Sequence, residues 1–125
     1  MKEITTDKAP AAIGPYCQAV ASGSLVFLSG QIPLDPATGD IIDGDVAEQT
    51  RQVLQNIDAV LRAAGLTRTA IIKATIYTTE LQQFGAINEI YAEFLGDHRP
   101  ARSTVGVAAL PKDAKVEIEV VAVRE

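Results

Sequence analysis

Tryptophan is absent from this chain, and cysteine, histidine and methionine each occur once among its 125 residues. The lone Cys17 excludes an intramolecular disulfide and any multi-cysteine metal site. The lone His98 sits in a loop with no second ligand near it, which argues against a metal centre. The acidic residues Asp35, Asp40, Asp43 and Asp45 lack the spacing of a calcium loop and read as turn and cap chemistry. Glycine-rich phosphate loops and dinucleotide fingerprints are missing too, so no metal or organic cofactor is expected. No apolar run approaches the ~20 residues needed to cross a bilayer. The first residues, Met1-Lys2-Glu3-Ile4-Thr5-Thr6-Asp7, lack the apolar core of a secretory signal, so a cytoplasmic location is expected. Positive charge is in short supply: 11 Lys and Arg stand against 16 Asp and Glu, for a formal net charge of −5. Apart from the cluster His98-Arg99-Pro100-Ala101-Arg102 the basic residues are scattered singly, which argues against nucleic acid as a partner.

What is present suits one domain, residues 1–125, with 47% hydrophobic and 22% charged residues. Lys2 to Thr5 is a candidate strand. Ala9 to Pro15 is too rich in turn formers for regular structure. Cys17 to Ala21 and Leu25 to Ser29 read as two strands around the turn Ser22-Gly23-Ser24. Asp45 with Glu48 three residues on is a capping-box pattern. Val46, Val53, Ile57, Val60, Leu61 and Ala64 then recur at helical spacing up to Gly65, predicting a helix from Val46 to Ala64. Ala70 to Thr78 is β-branched and short, a strand with Ile72, Ala74 and Ile76 on one face and Lys73, Thr75 and Tyr77 on the other. A second helix begins at Thr79 with Gln82, carries Phe84, Ile87, Ile90 or Tyr91, and Phe94 or Leu95 along its apolar line, and ends at Gly96.

Two strand-like runs close the chain, on either side of Pro111-Lys112-Asp113. In the first, Val105 and Val107 share a face and Arg102, Thr104 and Gly106 the other; in the second, Ile118, Val120 and Ala122 oppose Glu117, Glu119, Val121 and Val123. Arg102 and Glu117 thus fall on sides that their own strands do not devote to the main core. On pattern alone both read as solvated strand-end charges ahead of a functional pair. The order β-β-β-α-β-α-β-β gives an α+β fold in which two helices cover one face of a six-stranded mixed sheet. The other face keeps Val121, Val123 and one of Leu25 and Val26, and an apolar second face with no third helix asks for a partner chain.

Pro100-Ala101-Arg102-Ser103, followed by Val105, Leu110 and Val116-Glu117-Ile118, resembles the signature of the RidA/YjgF family of enamine/imine deaminases. Ala11-Ala12-Ile13-Gly14-Pro15-Tyr16 and Ser29-Gly30-Gln31-Ile32-Pro33 resemble two further blocks of that family, and the similarity runs from Ala9 to Arg124. The resemblance implies a chorismate-mutase-like fold and a homotrimer with its active sites between subunits. It also implies hydrolysis of reactive enamines and imines, such as 2-aminoacrylate from pyridoxal-phosphate-dependent dehydratases, to 2-keto acids and ammonium.

On that resemblance Arg102 grips the carboxylate of a small imino or keto acid, for which a planar guanidinium fork is suited. The competing role is an intersubunit salt bridge to Glu117 or Glu119. Glu117 holds and deprotonates water, with Thr104 assisting. Glu119 points to the same side as Glu117, and only the family motif selects between them. Tyr16, Ser29, Gly30 and Asn88 complete the expected substrate-binding set, with Asn88 lying off the second helix's apolar line. Two departures stand out. Thr104 occupies a position often held by cysteine in relatives, which removes any thiolate mechanism. Arg99 precedes Pro100 where relatives often carry an aromatic, adding positive charge beside the site. Cys17 reads as a small buried hydrophobe. Two other functions fit the same residues: a non-catalytic trimer that binds 2-keto acids, and a ribonuclease, against which the acidic balance and the lack of a catalytic histidine pattern both count.

Overall fold

In the computed structural model, which describes residues 1–125, a single six-stranded sheet carries both helices against one of its faces. The strands are β1 (Lys2–Ile4), β2 (Ala19–Ser22), β3 (Leu25–Leu28), β4 (Ile71–Thr78), β5 (Ala101–Gly106) and β6 (Val116–Val123). The helices are α1 (Val46–Ala63) and α2 (Phe84–Leu95). The order across the sheet is β1-β2-β3-β6-β4-β5, antiparallel everywhere except where β4 and β5 run parallel. A parallel pair needs a crossover, and α2 supplies it. The element order and the mixed sheet are those expected from the sequence.

Each element follows from local chemistry. The Asp45 side chain accepts the Glu48 N–H at 2.9 Å, satisfying one of the four donors that the start of α1 leaves unpaired. At the other end the Gly65 N–H donates to Arg62 O at 2.9 Å and the Leu66 N–H to Leu61 O at 2.9 Å. Gly65 takes φ of 77°, the left-handed conformation on which such a Schellman stop depends. Between these caps Val53, Ile57, Val60 and Leu61 are wholly buried against β6 and α2. From α2, Ile87, Ile90, Tyr91 and Leu95 join them, so both of the alternatives along its apolar line settle as Tyr91 with Ile90 and Leu95 fully inside. On β6 alternation is strict: Val116, Ile118, Val120 and Ala122 are buried, and Glu117, Glu119, Val121 and Val123 are half-buried on the opposite face.

The structure corrects the sequence expectation at several places. Ile72 is 43% exposed, while Ile71 takes the core position at 2%. The cause is a β-bulge: Ile71 pairs with Ala122 and Lys73 with Val121, so the strand gains a residue and its inside-outside parity inverts at the bulge. Thr79 and Gln82 do not cap α2; a 3₁₀ turn over Leu81–Gln83 intervenes and Gln83 occupies the cap position without a side-chain bond. The Thr78 hydroxyl holds this turn instead, accepting from Glu80 N–H at 2.9 Å and donating to Lys115 O at 2.7 Å. Cys17 lies before β2 rather than in it and is only partly buried. Of Leu25 and Val26, Leu25 belongs to the uncovered face and Val26 is wholly buried.

Candidate functional site

Of the residues singled out by sequence, Arg102 and Asn88 line one cleft and Tyr16, Gly30 and Glu117 another on the opposite face of the sheet, while Ser29 and Thr104 line neither. On β5, Arg102 pairs with Ala74 of β4 and Thr104 with Ile76. Ala74 and Ile76 point into the core, so Arg102 and Thr104 lie on the helix-bearing side. Arg102 thus lies on the core side of the sheet, whereas strand alternation places it on the side its strand does not devote to the core. Helix α2 makes a bed for the guanidinium. Its carbon lies 5.1 Å from the Phe84 ring centre and 5.2 Å from that of Tyr91, and Nη1 donates to Asn88 Oδ1 at 2.6 Å. Cation–π attraction and a charge-independent acceptor fix the side chain without neutralising it. The cleft beside it, about 430 Å³, is lined by Asn88, Tyr91, Arg99, Pro100 and Arg102 with Ala92 and Leu95.

Glu117 pairs with Tyr77 across β4, on the face away from the helices. It lines a cleft of about 220 Å³ together with Tyr16, Gly30, Gln18, Gln31 and Pro111, among others. No hydrogen bond or ion pair in the chain engages its carboxylate. Partial burial raises its pKa above the ordinary 4.5, and repulsion from Glu119 adds to the rise. Gly30 makes room for it: a Cβ there would lie 3.0 Å from the Glu117 Cδ, so any larger residue would push the carboxylate aside. Tyr16 is 54% exposed, and its hydroxyl accepts the Ile13 N–H of its own loop at 3.3 Å. The Ser29 hydroxyl donates to Cys17 O at 2.6 Å, tying the end of β3 to the segment before β2.

Glu117 and Glu119, inseparable by pattern, differ in their surroundings. Glu119 Oε1 accepts a hydrogen bond from the Tyr77 hydroxyl at 2.7 Å, and that bond raises the Tyr77 pKa. Both glutamates line clefts, Glu119 one of about 320 Å³ beside Phe27, Lys73 and Val121, but Glu119 is engaged by Tyr77 and Glu117 has no partner. A salt bridge from Arg102 to either is absent within the chain, whose ion pairs are Arg51–Glu93 and Arg62–Asp58. His98 Nε2 lies 2.7 Å from Ile71 O and so serves as a strand-to-loop tie.

Sequence reasoning missed several contributors. Gln18 is 3% exposed and clamps the loop that carries Tyr16: its Nε2 donates to Pro10 O at 2.7 Å and its Oε1 accepts Thr6 N–H at 2.7 Å. Nothing in its neighbours distinguishes it from a solvated glutamine. The bed under Arg102 was accessible, because Phe84, Asn88 and Tyr91 stand at i, i+4 and i+7 on one stripe of a helix.

Residues 6–124 match the family model described as Endoribonuclease L-PSP. A RutC family protein of Pyrococcus horikoshii is 50% identical over 126 residues that cover all of both chains. The 2-iminobutanoate/2-iminopropanoate deaminase of Salmonella typhimurium is 51% identical, with 98% of each chain covered. The crystal structure of Escherichia coli TdcF with bound serine superposes with a TM-score of 0.95 at 52% identity, covering 100% of both chains. Agreement of this breadth in both sequence and backbone leaves no part of the domain unmatched, and the chain belongs to the RidA/YjgF family.

Proposed function

We propose that the protein is a deaminase of reactive 2-imino acids, working at sites that two copies of the chain complete together. One observation carries the proposal. A guanidinium held ready for a carboxylate and an unpartnered, half-buried glutamate lie on opposite faces of one sheet, so one chain cannot turn both onto one small substrate. The uncovered face supplies the means of association. Phe27 is 43% exposed, Val105 40% and Leu25 36%, beside half-buried Val121 and Val123. Burying such a face against a like chain is favourable at about 25 cal/mol per Å². With the family resemblance this supports a homotrimer, in which Arg102 and Thr104 of one chain meet Glu117, Tyr16, Ser29 and Gly30 of the next.

In that cleft Arg102 binds the carboxylate of the imine. Asn88 is a positioning residue that aims the guanidinium and keeps its own NH₂ for the ligand. Glu117 takes a proton from water as the water oxygen bonds to the C=N carbon, and the π electrons pass to nitrogen. The carboxyl group returns that proton to nitrogen, completing the carbinolamine. Glu117 then takes the hydroxyl proton and passes it to the same nitrogen, the C–N bond breaks to release ammonia, and the C–O bond becomes the C=O of a 2-keto acid. A carboxylate whose pKa is lifted by burial is a stronger base in the first step and a better-matched acid in the second. Thr104 Oγ1 offers a hydrogen bond to the water or the carbinolamine but no thiolate. The names of the relatives support this chemistry, and serine in TdcF, with its carboxylate on a three-carbon frame, is a ligand of the proposed size. The assay is 2-keto acid release from an enamine pool made by a dehydratase. Faster release with the protein present supports the proposal; an unchanged imine lifetime with keto-acid binding intact would leave a metabolite-binding trimer.

A ribonuclease reading draws on the description of the family model. The single histidine is bonded to Ile71 O and lines neither cleft, and the net charge is −5. Both weigh against it.

A further inference from the structure

The cleft beside Arg102 holds more positive charge than one carboxylate requires. Arg99 and Arg102 both line it, and no Asp or Glu is among its walls. The chain has 16 acidic residues and pairs Arg51 and Arg62 with two of them, yet it leaves these two guanidinium groups without an ion pair. Arg99 is nonetheless fixed. Its Nη1 donates to Gly96 O at 2.6 Å and to His98 O at 2.9 Å, at the carbonyl end of α2. Those bonds anchor one nitrogen and leave the rest of the fork for a ligand.

A second observation points the same way. Tyr91, 6% exposed, lines this cleft, and its hydroxyl is buried with no hydrogen-bond partner. Buried hydroxyls in native folds almost always have a partner, so an unpaired one beside two guanidinium groups marks a position where an acceptor is supplied from outside. Both arginines are close enough to act on the Tyr91 phenol electrostatically, drawing its pKa down against the larger upward effect of burial.

We propose that Arg99 and the Tyr91 hydroxyl form a subsite for a second carboxylate, so that the preferred ligands are 2-imino and 2-keto diacids rather than monoacids. The inference rests on Arg102 as the grip for the first carboxylate. Two anchored guanidinium groups and no carboxylate in one cleft suit a ligand of charge −2, and two carboxylates on a short carbon chain place that charge at two points. A diacid also has the advantage of linkage: once its first carboxylate is on Arg102 the second reaches Arg99 as a tethered group, at an effective concentration that two separate monoacids lack.

The test is calorimetric binding of 2-oxoglutarate and 2-oxobutyrate to the full-length protein, with hydrolysis of the matching imines made in situ by amino-acid oxidases from glutamate and 2-aminobutyrate. Wild type is expected to bind the diacid about 10- to 100-fold more tightly, the range of one charge-assisted hydrogen-bonded contact. Arg99→Gln, which keeps a donor for the Gly96 and His98 carbonyls, should collapse that ratio to near one. Tyr91→Phe should lower diacid affinity several-fold while raising the Tm, because a buried unpaired hydroxyl is removed; a purely structural hydroxyl would raise the Tm and leave the ratio alone. Equal affinity of wild type for both acids, with monoacid imine hydrolysed, overturns the subsite and keeps the deaminase. Tight diacid binding without hydrolysis of either imine keeps the subsite and removes the deaminase, and binding of neither acid removes both. Inorganic phosphate bound as tightly as 2-oxoglutarate, and lost in Arg99→Gln, would make the cleft a general anion site and overturn the diacid assignment.

Discussion

The two faces of the sheet are built from similar residues and treated in opposite ways. Under the helices Val116, Ile118, Val120 and Ala122 of β6 are buried, and α1 and α2 fill the layer above them. On the other face Val121 and Val123 of the same strand stay half-buried, Phe27 and Leu25 of the neighbouring strand stay exposed, and Glu117, Glu119 and Tyr77 stand among them. The covered face is sealed by its own chain along β6, and only at its edge, where Arg102 of β5 lies against α2, does it open a cleft. The open face combines apolar surface with a half-buried carboxylate, Glu117, that has no partner. Such a combination is unfavourable in an isolated chain, and it accounts for both association and chemistry if another copy covers it.

Breaking the open face at its carboxylate should have the largest effect on turnover. Glu117→Gln keeps shape and one acceptor but cannot take a proton, so activity should fall by about 100- to 10,000-fold in the keto-acid release assay. The same change should leave the Tm equal or higher, because it removes a charge that partial burial disfavours. Sharpening the contrast takes a paired experiment. Ile57→Ala, under the helices, should cost about 2–5 kcal/mol of stability in denaturant unfolding. Phe27→Asp, on the open face, should leave the monomer folded by circular dichroism while light scattering falls from three times toward one times the 13.2 kDa chain mass.

A smaller loss is expected from Arg102→Lys. Charge is retained, but the fork and its stacking between Phe84 and Tyr91 are not, so kcat/KM should drop by about 10- to 100-fold, the scale of one charge-assisted contact, with little change in Tm. The smallest effect is on pH dependence. Glu117 has a folded pKa raised above 4.5, so the folded chain binds its proton more readily than the unfolded one. Its contribution to stability therefore grows as pH falls through the raised value, levels off below the ordinary value, and is lost as pH rises again. Activity should move oppositely, rising with pH as the carboxylate forms. Both slopes should vanish in Glu117→Gln.

The covered face was the legible one. Val53, Ile57, Val60 and Leu61 declare α1 by spacing, Asp45 and Gly65 mark its ends, and the alternation of β6 assigns every side chain correctly. Local periodicity determines burial there because each element meets the core through one stripe. Where register departs from period two, pattern fails: the bulge beside Ile71 inverts one turn of β4, and no neighbouring residue type announces it. The side on which Arg102 lies was likewise beyond strand alternation. Its strand is almost wholly exposed, so neither face looks apolar, and only the pairing of Arg102 with Ala74 decides. Strand pattern left Glu117 and Glu119 level, with only the family motif between them, because the Tyr77 hydroxyl that engages Glu119 stands 42 residues away in sequence.

The claim that two chains build each site is tested most directly by complementation. Chains carrying Arg102→Ala and chains carrying Glu117→Gln, each inactive alone, would be unfolded together and reassembled at equal concentration. If Arg102 of one copy works with Glu117 of the next, random trimers should recover about one quarter of wild-type activity, since each half-site is intact in half of the chains. Should both residues act within one chain, every site in every mixture lacks one of them, and the reassembled protein would stay as inactive as its parents.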